Sequence, residues 1–172
     1  RAVSAFGEYL QNFPAALFKL SAHFYKAELL SVLGKQEALQ DYLAVLEFAH
    51  NQFTERSLSQ AARLELDKHE FSIAVLHYNL LLEQAQAKEL QREATIALFT
   101  CYKALNNTEE IKNSAERILA LDKLSDDLEL EARLVLGNAA FYSSEYHLAE
   151  KHYKWILLIL NALYQTLIHL KY

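Results

Sequence analysis

The apolar positions along the chain fall at helical spacing. Ala2, Phe6 and Tyr9 stand at offsets of 0, +4 and +7, and so do Ala38, Tyr42 and Val45, then Ala74, Tyr78 and Leu81, then Ile111, Ala115 and Ile118, then Ala149, Tyr153 and Ile156. Residues spaced in this way share one face of an α-helix. The five starting positions lie 36, 36, 37 and 38 residues apart, so the element is an internal repeat. Its small residue has a packing role. Two antiparallel helices approach closely only where one lacks a bulky side chain, and an aromatic one turn later fills the adjoining space.

A second helical pattern precedes each of the last four elements. Ala27, Leu30 and Leu33 run before Ala38, and Ala61, Ala62, Leu64 and Leu66 before Ala74. Leu98, Cys101, Tyr102 and Leu105 run before Ile111, and Leu136, Gly137, Ala140 and Phe141 before Ala149. Gly34 and Asn106 suit left-handed helix ends. The repeating unit is therefore helix–turn–helix. The stretch 27–38 spans eleven steps where 62–74, 99–111 and 137–149 span twelve, which requires either a tighter first turn or a missing residue.

These residues resemble the tetratricopeptide repeat (TPR). Its pattern is a Leu-small pair, an aromatic, a Gly at the turn, then Ala, Tyr and Ala on the second helix, and a closing Pro. Leu136-Gly137, Gly34, Tyr146, the Ala/Tyr pairs and Asn12-Phe13-Pro14 carry the resemblance, which covers essentially the whole chain. It implies an all-α fold, a right-handed α-solenoid of TPR helix–turn–helix repeats, in a single domain over 1–172. On this reading 1–13 is the second helix of a truncated repeat. Full repeats occupy 15–52, 54–87, 89–121 and 126–160, and 161–172 starts a further or capping helix. The period exceeds the usual value of about 34 residues, so the loops between repeats are expected to be extended. Phe99 stands where a small residue is expected, and Ile111 and Ala115 replace Ala and Tyr, so the third repeat is expected to pack irregularly.

Composition narrows the alternatives. The chain has 172 residues, enough for one domain with a sizeable core, and its 52% apolar content excludes a disordered chain. Three Gly and one Pro are too few for the turns and phosphate loops of an all-β or Rossmann-type fold. The net charge of −5, with no Lys/Arg block, leaves no electrostatic footprint for nucleic acid. The lone Cys101 cannot form an internal disulfide. Arg1 falls inside a helical pattern with no signal-peptide architecture, so the chain reads as a fragment of a longer protein.

Four features invite chemistry and are read otherwise. His147 and His152 are five apart, about 140° around a helix, where a helical zinc motif needs a spacing of four; a solvated face explains them. Cys101 lies in the core register, where a thiol is inert. The acidic run of Asp122, Asp126, Asp127, Glu129 and Glu131 has no Gly turn for a calcium loop, and Ser125-Asp126-Asp127 reads as a helix start. Trp155-Ile-Leu-Leu-Ile-Leu160 is far short of the roughly 20 apolar residues of a membrane span, and reads as a buried terminal helix or a face covered by a next repeat. No acid/base or nucleophile constellation survives these spacings. The chain is not expected to be an enzyme, and no cofactor or metal is expected.

The resemblance implies a concave face lined by the first helix of each repeat. Its candidate ligand-binding residues are Tyr25 and Glu28, Gln60 and Arg63, Thr100 and Lys103, then Asn138, Phe141 and Tyr142. The two-carboxylate clamp known in the family needs Lys and Asn on one first helix. Those positions hold Phe24/Glu28, Ser59/Arg63, Ile96/Thr100 and Leu134/Asn138, so a chaperone-adaptor role is not implied. What is implied is a scaffold that binds a peptide or helix of another protein, with no nucleic acid and no direct membrane span. Phe13-Pro14 followed by a long first helix is similar to TPR proteins of the Gram-negative envelope, which points to the periplasm or the outer membrane. The alternative is a cytoplasmic regulatory or sensor TPR module attached to an effector domain.

Overall fold

The computed structural model describes residues 1–13 and 17–169. Pro14, the closing proline of the resemblance, lies outside them, as does 170–172. The described residues form nine helices and no strand: α1 (Ala2–Asn12), α2 (Lys19–Val32), α3 (Ala38–Leu46), α4 (Thr54–Asp67), α5 (Phe71–Gln84), α6 (Lys88–Ala104), α7 (Thr108–Leu119), α8 (Asp126–Tyr142) and α9 (Tyr146–His169). They divide into two compact units, one ending at Cys101 and the other starting at Tyr102. In the first, α1 packs on α2, α2 on α3, α3 on α4 and α4 on α5. In the second, α7 packs on α8 and α8 on α9. Packing in chain order is what an α-solenoid requires.

The turn inside each repeat is built the same way. Gly34, His69, Asn106 and Ser144 all have positive φ, between 54° and 66°. The next N–H in each case reaches back five residues: Lys35 to the Leu30 carbonyl, Glu70 to Glu65, Asn107 to Tyr102 and Glu145 to Ala140. This bond satisfies a carbonyl that the helix end would otherwise strand. Gly34 and Asn106 are the residues expected there. His69 and Ser144 accept the same backbone against their ordinary preference.

The short first turn has a visible cause. Ala74, Ile111 and Ala149 donate to the carbonyl four residues back, that of Glu70, Asn107 and Glu145. Ala38 donates only three back, to Lys35, and Leu39 to Gln36. A tight turn closed by bonds three residues back thus takes the place of the longer form, as the tighter-turn alternative expects.

The small and aromatic positions form the core. Ala38, Tyr42 and Leu39 are buried with Ala27, Leu30 and Ala61, and Phe24, Leu43, Leu46 and Leu64 pack around them. Ala74, Tyr78 and Leu81 are buried where α5 packs on α4. Replacing Ala74 by Leu should overpack that crossing and lower the folding free energy by about 1–3 kcal/mol. Urea denaturation would measure it, and a change under about 0.5 kcal/mol would place Ala74 away from the crossing.

Two expectations are revised. The repeat pattern predicts a new helix over 161–172, yet α9 continues unbroken through Asn161 to His169. No Gly or Pro occurs between Tyr146 and His169, so nothing in that stretch ends the helix. Ser125 stands at the N-cap of α8, but its side chain makes no capping bond. The start is marked instead by Asp126, Asp127 and Glu129, whose charges favour the helix N-terminus.

Candidate functional site

The first-helix residues proposed from sequence differ sharply in how far they are already engaged. In the first unit, Glu28 accepts a 2.7 Å hydrogen bond from the Tyr42 hydroxyl and is paired with Arg56 at 3.2 Å. Burial alone would raise the Glu28 carboxyl, but the hydrogen bonds from Arg56 and Tyr42 outweigh it and lower its pKa. Burial, then the bond to Glu28, raises the Tyr42 phenol. Glu28 therefore joins α2 to α3 and α4 rather than presenting a charge to a ligand.

Tyr25 is half exposed and belongs to an aromatic group. Its ring lies 5.9 Å from Phe53 and 6.5 Å from Phe6, while Phe24 and Phe53 stack at 4.2 Å. With Phe6, Tyr9, Phe18 and Ala22 it lines an apolar groove of about 450 Å³ between α1 and α2. Gln60 and Arg63 come together on a second cleft of about 400 Å³, with Ser31, Gln36, Leu64 and Asp67. Gln60 is nearly buried there and Arg63 is exposed. Thr100 is exposed, its hydroxyl donating back to the Ile96 carbonyl.

In the second unit, Lys103 is ion-paired with Glu131. Asn138 accepts a 2.8 Å bond from the Tyr153 hydroxyl. Phe141 and Tyr142 stay open. They meet edge to face at 5.8 Å, and Tyr146 joins Phe141 at the same distance from the first turn of α9. Tyr142 is 85% exposed, and all three rings face solvent.

Sequence reasoning missed a polar layer between paired helices. Three residues after the first repeat position of α3, α5, α7 and α9 stand Asp41, His77, Ser114 and His152, and Asp41, Ser114 and His152 are buried while His77 is half-buried. Asp41 is held by His23 and Lys26 of α2, each at 2.8 Å. His77 Nδ1 lies 2.7 Å from Glu65 Oε2. The signal was available as a polar residue at one offset in four repeats.

The features read as non-catalytic resolve individually. His147 is fully exposed while His152 is buried, so the two histidines share no site, and the solvated-face reading fails for His152. Burial pushes the Cys101 thiol up to about 11, which leaves it protonated and unreactive. Glu129 and Glu131 are consumed by ion pairs with Arg133 and Lys103. Arg133 also lies over the Trp155 ring at 4.3 Å. Leu157, Leu158 and Leu160 are exposed, against the buried-helix alternative and as an apolar face left for a next repeat would be. Among the described residues no group of His, Cys, Asp or Glu is placed to hold a metal ion, and no helix is long and apolar enough to cross a membrane.

No protein-family model and no curated protein matches the sequence. Among solved structures, the chain is similar to a tetratricopeptide repeat protein from Parabacteroides merdae, at 20% identity and a TM-score of 0.59. The similarity covers 92% of this chain, which spans 59% of that one. Serial helix pairs, small-aromatic packing and a left-handed turn in each repeat agree with it. The chain has the tetratricopeptide-repeat fold.

Proposed function

We propose that the chain is a protein–protein interaction scaffold that binds a peptide or helix of a partner protein through first-helix residues, as one TPR domain over 1–172. The observation that carries this is the cluster of Phe141, Tyr142 and Tyr146. Three aromatic rings held together in solvent cost hydration without adding to a core, and aromatics of this kind anchor interfaces. Arg63, exposed on its cleft in the first unit, is the cationic candidate. The partner segment is of mixed apolar and polar character, since the net charge of −5 works against a strongly acidic one.

The test is to identify partners by pull-down with the chain and then to measure binding by Tyr142→Ala and Arg63→Ala. Each should weaken binding by about 1–2 kcal/mol, in the range of interface truncations. Folding stability should stay within about 0.5 kcal/mol of the parent, because neither side chain supports the core. Unchanged binding by both variants would sink this assignment and move the site to another face.

A further inference from the structure

The second and fourth repeats share one register, and at one buried histidine their partners differ. In the second, the left-handed residue is His69; four residues before it stands Glu65 and eight after it His77, and these two are bonded at 2.7 Å. In the fourth, the left-handed residue is Ser144; four before it stands Ala140 and eight after it His152. The backbone bonds agree, Glu70 donating to Glu65 in one and Glu145 to Ala140 in the other. His152 thus repeats His77, and Ala140 stands where its carboxylate partner should be.

Two consequences are visible. His152 is 8% exposed, and its Nδ1 is buried with no hydrogen-bond partner. A cleft of about 450 Å³ opens between α7, α8 and α9, with Ala140 and His152 both on its lining. Leu119, Leu136, Leu148 and Ala139 make its walls apolar, and Lys112, Glu116, Ser143 and Glu145 are its polar lining. The size is ordinary for a small-ligand site, and a buried ring nitrogen without a partner there has hydrogen-bonding capacity left to satisfy.

We propose that this cleft binds a short aliphatic monocarboxylate, whose carboxyl group takes the place that Glu65 holds in the second repeat. The carboxylate accepts a hydrogen bond from His152 Nδ1–H, as Glu65 does from His77. The aliphatic part lies against Leu119, Leu136 and Leu148. The surroundings carry charge of both signs. Lys112 lines the cleft, and Arg133 and Lys151 place positive charge near His152. Glu116 and Glu145 lie on the same lining, so one carboxylate is held by the bond from His152 rather than by net charge, and a second is disfavoured. Burial, then the charges of Arg133 and Lys151, lowers the His152 pKa, so the imidazole rests neutral, able to donate from Nδ1. The carboxylate is that of a free acid or of a peptide C-terminus with an apolar last residue. This inference is independent of the scaffold proposed above.

Titration with sodium butyrate, followed by calorimetry and by the imidazole signals in NMR, tests it. The His152 signals should shift saturably while those of the exposed His147 stay in place. Butyramide, equal in shape but uncharged, should bind about tenfold more weakly or worse. Ala140→Glu, which supplies the carboxylate from within, should abolish butyrate binding. If that variant does not fold, His152→Leu tests the same contact by removing the donor while keeping the volume. N-acetyl-glycyl-leucine separates the sources: tighter binding than butyrate assigns the site to a peptide C-terminus, and binding of butyrate alone assigns it to a free acid. No saturable shift with either carboxylate, equal binding of butyramide, or unaltered binding by His152→Leu would overturn the proposal.

Discussion

Glu65→Ala is expected to destabilise the fold by about 3 kcal/mol, toward the lower end of the cost of truncating a buried side chain that also strands its hydrogen-bond partner. Glu65 is 1% exposed, and its carboxylate accepts the His77 bond that joins α4 to α5. The substitution strands His77 and leaves a hole where the side chain was, and both effects act in the same direction. The lower end applies because His77 still reaches solvent along one edge. Two companions separate the causes. Glu65→Gln keeps the volume and an acceptor oxygen, and should lose only about 1 kcal/mol. Glu65→Leu combined with His77→Leu replaces both polar partners by apolar ones, and should recover most of the loss. Urea denaturation followed by circular dichroism gives all three values. A loss under about 1 kcal/mol for Glu65→Ala would mean that the pair contributes little, and would weaken the parallel between His77 and His152.

The repeat itself was legible because its signal is geometric. Small, aromatic and apolar residues at 0, +4 and +7 must face one neighbour, and Ala38, Tyr42 and Val45 or Ala74, Tyr78 and Leu81 are buried accordingly. The turns were half legible. Gly34 and Asn106 advertise positive φ, whereas His69 and Ser144 adopt the same backbone without the residue type that signals it. The polar layer was hidden for a different reason. A charged residue near the edge of an apolar stripe looks solvated until the partner helix is in place. Asp41, Glu65 and His152 sit at such edges, and only the packing of α2 on α3, α4 on α5 and α8 on α9 shows them buried.

The candidate site divides along the same line. Sequence offsets chose Phe141 and Tyr142 as candidates for the concave face, and both are exposed. The same offsets chose Glu28, whose charge is taken by Arg56 and Tyr42. An offset states which way a side chain leaves its helix. It does not state whether a residue 28 positions later, as Arg56 is, arrives to neutralise it.

Phe99→Ala is where the sequence pattern and the structure forecast opposite signs. Phe99 occupies the position that Ala27, Ala62 and Gly137 hold in the other repeats, so the substitution restores the repeat's small residue. Pattern alone would forecast relief of crowding and a gain in helix propensity of a few tenths of a kcal/mol. The structure forecasts a loss of about 3–5 kcal/mol, the range for Phe→Ala in a core, because Phe99 is fully buried and its ring fills its space. The two forces are unequal. Removing a buried phenyl forfeits its burial and leaves a cavity that relaxes only in part, while the propensity gain is an order of magnitude smaller. Gly137→Ala is the contrasting control. A Cβ there would stand 2.7 Å from the Tyr153 ring, so the ring must shift to admit even one added carbon. The same nominal site is therefore tight around a missing side chain in the fourth repeat and filled by a ring in the third. Denaturation midpoints of the two variants against the parent decide it, and a Phe99→Ala protein as stable as the parent would show that the third repeat closes around a small residue as the others do.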